Sequence, residues 1–187
     1  MLKILRKHQS IYLFLFVLSF IGFISGNEYY SIQDSSTKEE ISSTYNLNET
    51  LQFNNSNISK AVKDSFTIFL CGLFVLPQLY SIFYTFYYPF QLGFLFSFLR
   101  SIHYKLAIKY FCFYHLFPLI SILILIRISL TISKEVVALI IYKQKKYWIR
   151  IQLLFYKYFF FAFLSLLYHF IIGIFSFNIN QTLIPFL

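Results

Sequence analysis

Between Ser65 and Leu187 this chain carries a single carboxylate side chain, Glu135, set among long apolar runs. That feature excludes most soluble folds. A soluble domain keeps roughly a quarter of its residues charged so that its surface stays wet. Here 12% of the 187 residues are charged and 58% are hydrophobic. One small core cannot bury that much apolar surface, so the excess must face hydrocarbon. The pattern predicts an all-α fold, a polytopic membrane helix bundle of about five segments.

The same scarcity of acids narrows the chemistry. An intramembrane metalloprotease or a carboxylate-based protease needs acids or His-Glu clusters on facing helices. A proton-driven carrier usually keeps an Asp or Glu within a span. Neither arrangement is written here, and P-loop, G-x-G-x-x-G and G-x-S-x-G patterns are missing. No catalytic residue, metal site or cofactor is therefore assigned. Cys71 and Cys112 lie far apart in apolar stretches and imply neither a disulfide framework nor a metal site. The net charge of +9 follows the Lys and Arg excess of cytoplasmic loops rather than a nucleic-acid-binding face.

Residues 1–26 combine Lys3, Arg6 and Lys7 with an apolar run from Ile11 to Ile24, which fits either a first transmembrane helix or a signal peptide ending near Ser25-Gly26. Residues 27–64 form the one markedly polar stretch, an external loop, slightly acidic and rich in Asn and Ser. Asn48, Asn54, Asn57 and Asn180 stand in N-x-[ST] sequons. Residues 65–133 hold the middle membrane helices. Within them Ser65 to Phe86 reads as the second span, interrupted at Gly72 and Pro77-Gln78. A turn is expected at Tyr88-Pro89. Phe90 to Tyr114 carries Arg100, His103, Lys105 and Lys109; a broken or re-entrant half-helix pair there would reconcile these charges with an inside location. Residues 134–150 read as a cytoplasmic basic amphipathic helix, 151–178 as the last transmembrane helix, and 179–187 as an external tail.

Two sets of candidate site residues follow. Lys143, Lys145, Lys146 and Arg150 beside Trp148 suit contact with anionic headgroups or a cytoplasmic partner. Gln78, His115, Arg127 and His169 are the polar groups that fall inside apolar runs, where such residues mark functional sites. Arg127 has a second reading, since it lies close enough to the inner boundary to snorkel. Ser129 and Ser133, four apart, suit a close helix contact.

From Phe53 onward the order of features resembles the stage II sporulation protein M family of bacterial membrane proteins. The residues that carry this are Gly72, the segment Tyr88-Pro89-Phe90-Gln91-Leu92-Gly93, the segment His115-Leu116-Phe117-Pro118-Leu119, and a last span closing at Pro185. Gly93 and His115 match the family's pattern; Tyr88-Pro89 replaces its Asn-Gly pair, and Leu119 stands in place of its acid. The resemblance implies envelope remodelling, or an accessory role beside bacteriocin genes. Taken with the residues, it points to a non-enzymatic membrane accessory protein for export of, or immunity to, a membrane-active peptide. Its expected partners are the lipid bilayer, other membrane proteins such as an ABC-type ATPase, or the peptide, and no nucleic acid. A transport permease lined by Gln78, His115 and His169, and a structural subunit of an organellar membrane complex, remain as alternatives.

Overall fold

The computed structural model describes residues 2–44, 55–74 and 78–183. They form α1 (Leu2–Ser31), α2 (Ser35–Thr44), α3 (Asn55–Leu73), α4 (Gln78–Ile102), α5 (Tyr104–Tyr110), a π-helical turn (Phe111–His115), α6 (Leu116–Tyr142) and α7 (Lys145–Leu183). Four helical stretches are long and apolar enough to cross a membrane: Ser10–Ser31, Gln78–Ile102, Ala107–Tyr142 and Lys145–Ile174. Phe14, Phe20, Phe83, Phe163 and Phe170 are all exposed along them, as lipid-facing side chains should be. The chain is a helical membrane protein. Helix α3 lies beside these four but carries Lys60, Lys63 and Asp64 and is not among them.

Contacts between the helices set their directions. Ser19 meets Thr85, and Tyr30 meets Phe98 and Ser101, so α1 and α4 run parallel. Ser129 meets Ile68 and Ser133 meets Phe74, so α3 and α6 run parallel to each other. Tyr158 reaches Ser65 while Phe155 packs on Phe69, so α7 opposes α3. Helices α1, α4 and α7 thus point one way, α3 and α6 the other. One end of the bundle gathers the start of α1, the start of α4 and the α6–α7 turn. The opposite end gathers α2, His103 and α5. Two buried layers stack between them, one around Tyr30, Phe98, Ala107 and Ile172, the other around Leu15, Ile68, Leu125 and Tyr158.

The tightest seam joins α1 to α4. A Cβ built on Gly22 would strike the Phe86 carbonyl oxygen, one on Gly26 the Phe90 carbonyl oxygen, and one on Gly93 the Phe23 carbonyl oxygen. Gly22 and Gly26 are four apart and share a face, the small-residue spacing that lets membrane helices approach backbone to backbone. Two faces notched against each other explain why α1 packs as part of the bundle.

Several expectations about element boundaries are corrected. Ser65 to Phe86 is not one span, because α3 closes at Leu73 and α4 opens at Gln78 and runs the opposite way, with Tyr84 back beside Asp64. No turn forms at Tyr88-Pro89, because Pro89 lies inside α4. Proline there frees the carbonyl of Thr85, four residues back. The Ser19 hydroxyl of α1 donates to that carbonyl at 3.2 Å, so the helix continues. The break expected in 90–114 falls instead at His103, whose backbone is extended (φ −156°, ψ 120°). Since α4 is one full-length helix, no re-entrant half-helix pair is formed, and Arg100, Lys105 and Lys109 share the end that holds α2. Finally, 134–150 is not a separate helix. Residues up to Tyr142 complete α6, and α7 starts at Lys145. Lys143 takes a left-handed conformation (φ 49°) and its N–H donates to the Leu139 carbonyl at 2.8 Å, a left-handed cap that ends α6.

Helix α2 opens the polar segment with Asp34 as its cap, whose carboxylate accepts the Thr37 N–H at 2.9 Å. Hydrogen bonds from Thr37 hold this carboxyl below its usual range. The last helix runs to Leu183, past the expected limit at residue 178. Pro77, the sequons at Asn48 and Asn54, and the close at Pro185 lie outside the described residues.

Candidate functional site

The four polar residues picked out from the apolar runs do not form one site. Gln78 is the first residue of α4, at the end that also holds the α6–α7 turn. His115 closes the π-helical turn towards the opposite end, beside the ring of Tyr110 at 5.2 Å. Twelve residues of helix separate it from Arg127, about 18 Å along the axis. His169, on α7, has Nδ1 2.7 Å from the Ser165 carbonyl. His115 and His169 lie on stretches of chain that Tyr168 ties together through Phe113 and Phe117. His115 Nε2 is buried without a hydrogen-bond partner. The neighbouring tyrosines serve as structural ties: the Tyr168 hydroxyl donates to the Phe113 carbonyl and its ring stacks on Phe117 at 4.4 Å. That bond reaches a backbone carbonyl inside the π turn, where the ordinary helical ladder is interrupted.

Arg127 does not simply reach for water. Its Nη1 donates to the Tyr12 hydroxyl across the α1–α6 gap, and its guanidinium lies over the Tyr12 ring at 4.0 Å. Cation–π stacking of this kind holds a charge whose hydration is incomplete. Its Nε is buried and has no hydrogen-bond partner.

The bundle also contains a carboxylate that the sequence reading left in the external loop. Asp64 lies on α3 and accepts a 2.6 Å hydrogen bond from the Tyr84 hydroxyl. Tyr84 is buried and stacks between Tyr80 and Tyr88 at 5.9 and 5.8 Å. A signal for this was present. Asp64, Ile68 and Cys71 follow the i, i+4, i+7 spacing of one helix face, so extending the apolar run back by one turn brings Asp64 inward. The Gly22–Gly26 pair was equally legible and equally passed over.

The basic set behaves as a unit. Lys143, Lys145, Lys146, Trp148 and Arg150 are all exposed around the α6–α7 turn. Tyr142 and Tyr147 stack at 5.8 Å, with Lys146 over the Tyr147 ring at 5.0 Å. Arg150 approaches Glu135 at 3.8 Å, pinning α7 to α6 just above the turn. The Phe74 carbonyl is level with Ser133, and α6 continues nine residues further to Tyr142. The tip therefore stands about 13 Å beyond the level of Phe74. Cationic side chains mixed with Tyr and Trp suit the headgroup region of a bilayer.

Among the described residues no three His, Cys, Asp or Glu side chains gather to hold a metal ion. Cys71 is buried and Cys112 exposed, both as free thiols. Comparison with protein-family models, with curated proteins and with solved structures finds no match.

Proposed function

We propose that this chain is a non-enzymatic accessory subunit of a bacterial cytoplasmic membrane. It would work with a partner such as an ABC-type exporter in export of, or immunity to, a membrane-active peptide of the bacteriocin type. The observation that carries this reading is the α6–α7 tip, a cationic and aromatic projection free to engage anionic headgroups and a cytoplasmic partner together. The charge distribution supports the orientation. The end with the tip also holds Lys134, with Glu135 as the acid nearby, and the sequence of the first turns of α1 carries Lys3, Arg6 and Lys7. The opposite end mixes Lys38, Lys60, Lys63, Arg100, Lys105 and Lys109 with Glu28, Asp34, Glu39 and Glu40. The larger number of Lys and Arg at the tip end supports a reading with the tip and the N-terminus inside.

The test is purification of the full chain in mild detergent, with co-purifying proteins identified, for the native sequence and for Lys143→Glu with Lys145→Glu and Lys146→Glu. The reading expects an ATPase partner that the reversed charges release. Equal recovery of the same partners by both forms refutes the role given to the tip. Deletion of the protein in its own cells should raise sensitivity to the cognate peptide, and unchanged sensitivity removes the immunity version.

A permease reading finds some support in the Asp64–Tyr84 pair, since a carboxylate among packed helices is the kind of group a transport pathway uses. It loses support from the separation of Gln78 and His115, which belong to opposite ends of the bundle. Transport by the chain alone in vesicles, abolished by Asp64→Asn, would favour it over the accessory role.

A further inference from the structure

A lateral groove lies between α1 and α6, walled by Leu13 and Phe16 on one side and Ile120, Leu123 and Ile124 on the other. It encloses about 810 Å³, within the roughly 300–1,000 Å³ of sites that take small molecules. Its walls are apolar, and Leu13 and Phe16 are 65% and 62% exposed, so it opens sideways into hydrocarbon.

Only one end of the groove is polar. Ile120, Ile124 and Arg127 follow i, i+4, i+7 spacing on α6, and Tyr12 and Phe16 are four apart on α1. Tyr12 lines the groove at that end, and Arg127, stacked on the Tyr12 ring, stands on the same face of α6 one turn beyond Ile124. Tyr12 sits two residues inside Ser10, where the apolar stretch of α1 begins, so this end lies at interface depth. The guanidinium brings a positive charge there, and its Nε is buried with no protein acceptor. The surrounding end of the bundle carries Lys134 and the basic tip, which concentrates anionic lipid near the opening.

The geometry points to a binding site for one anionic glycerophospholipid, with an acyl chain in the α1–α6 groove and its phosphate at the Arg127 guanidinium beside Tyr12. The walls supply a chain-shaped apolar surface, and Arg127 supplies the donor fork that phosphate oxygens accept. An uncharged lipid would fill the groove without pairing the guanidinium. A second copy of the chain would bring another apolar helix and leave the charge unpaired.

The experiment is native mass spectrometry of the full chain in mild detergent, titrated with phosphatidylglycerol or with diacylglycerol of the same acyl chains, which lacks the phosphate. One bound phosphatidylglycerol should survive delipidation, with diacylglycerol about tenfold weaker, the difference expected for one charge-assisted pairing. Arg127→Gln should erase that preference. Leu123→Trp, which fills the groove and leaves Arg127 in place, should lower retention of both lipids. Lys145→Gln with Lys146→Gln, outside the groove, should leave the single tight site. Equal retention of the two lipids by the native chain, or unchanged retention in Leu123→Trp, overturns the proposal. So does a lipid-free dimer that Leu123→Trp dissociates, which would make the groove a contact between copies. This test does not depend on an exporter or peptide partner, so it can fail while the proposed accessory role stands.

Discussion

Replacing Gly26 by Ala asks how much the fold depends on the α1–α4 seam. A methyl group there would meet the Phe90 carbonyl oxygen and lie 2.8 Å from the Phe90 carbonyl carbon and 2.9 Å from the Phe94 nitrogen. Ordinary contacts between such atoms are about 3.5–4.0 Å, and the Phe90 carbonyl oxygen is nearer still, so the helices must separate by roughly 1.5 Å. Every atom struck is backbone, so no side chain can rotate away. Overpacking of this kind costs up to about 3 kcal/mol, and the better helix propensity of Ala returns at most about 1 kcal/mol. The net expectation is a loss of about 2 kcal/mol. Gly93→Ala should match it, with Phe23 carbonyl carbon at 2.8 Å and Asn27 nitrogen at 3.1 Å. Because one separation of the helices relieves both clashes, the double substitution should cost clearly less than the sum. Gly72→Ala serves as the contrast: its nearest neighbour is the Ser129 hydroxyl at 2.8 Å, a side chain that can turn, and the Ser129 Cα and carbonyl oxygen at 3.1 Å need give by only a few tenths of an ångström. That rotation forfeits the hydrogen bond to the Ile68 carbonyl, about 1 kcal/mol. Reversible unfolding in mixed micelles titrated with denaturing detergent measures all four. A Gly26→Ala protein as stable as the native chain, or full additivity with Gly93→Ala, would refute the reasoning.

Three further expectations follow from the same structure. Ser19→Ala should cost about 1–2 kcal/mol by orphaning the Thr85 carbonyl; in a Pro89→Ala background that penalty should largely vanish, because residue 89 then supplies its own N–H, and a double-mutant cycle in the same unfolding assay reads the difference. The Asp34 carboxyl is held down by Thr37, so its contribution to α2 is present above the unfolded-state carboxyl pKa and is lost as the pH falls through the lower folded value; backbone chemical shifts of Thr37 and Lys38 should follow that titration, and in Asp34→Asn they should not. Single cysteines at Ser35 and His103 should label from the same face of the membrane and one at Lys145 from the other; labelling of His103 and Lys145 from one face would contradict the directions assigned to α4 and α6.

Much of the fold was legible because bilayer solvation speaks directly through composition. Apolar runs of helical length, one carboxylate after Ser65 and clustered Lys and Arg suffice to define a helical membrane protein with one basic end. The exposed set at Lys143, Lys145, Lys146, Trp148 and Arg150 was readable for the same reason, since charges in a local run stay at the surface wherever the helices pack. Boundaries were less legible. Pro89 looks like a helix breaker in isolation, and only the Ser19 hydroxyl from another helix makes it harmless. His103 and Lys143, which do break the chain, carry no glycine or proline to announce it.

What the sequence determined by itself is the solvent: these residues require hydrocarbon around most of their helices, and that follows from transfer energies summed along the chain. What tertiary structure alone decided is which polar atoms meet. Asp64 is a loop acid until α3 aligns with Tyr84, and Arg127 is an interfacial cation until α1 brings Tyr12 over it. Both pairings join residues distant along the chain through the rigid-body placement of helices, a quantity that no local pattern encodes.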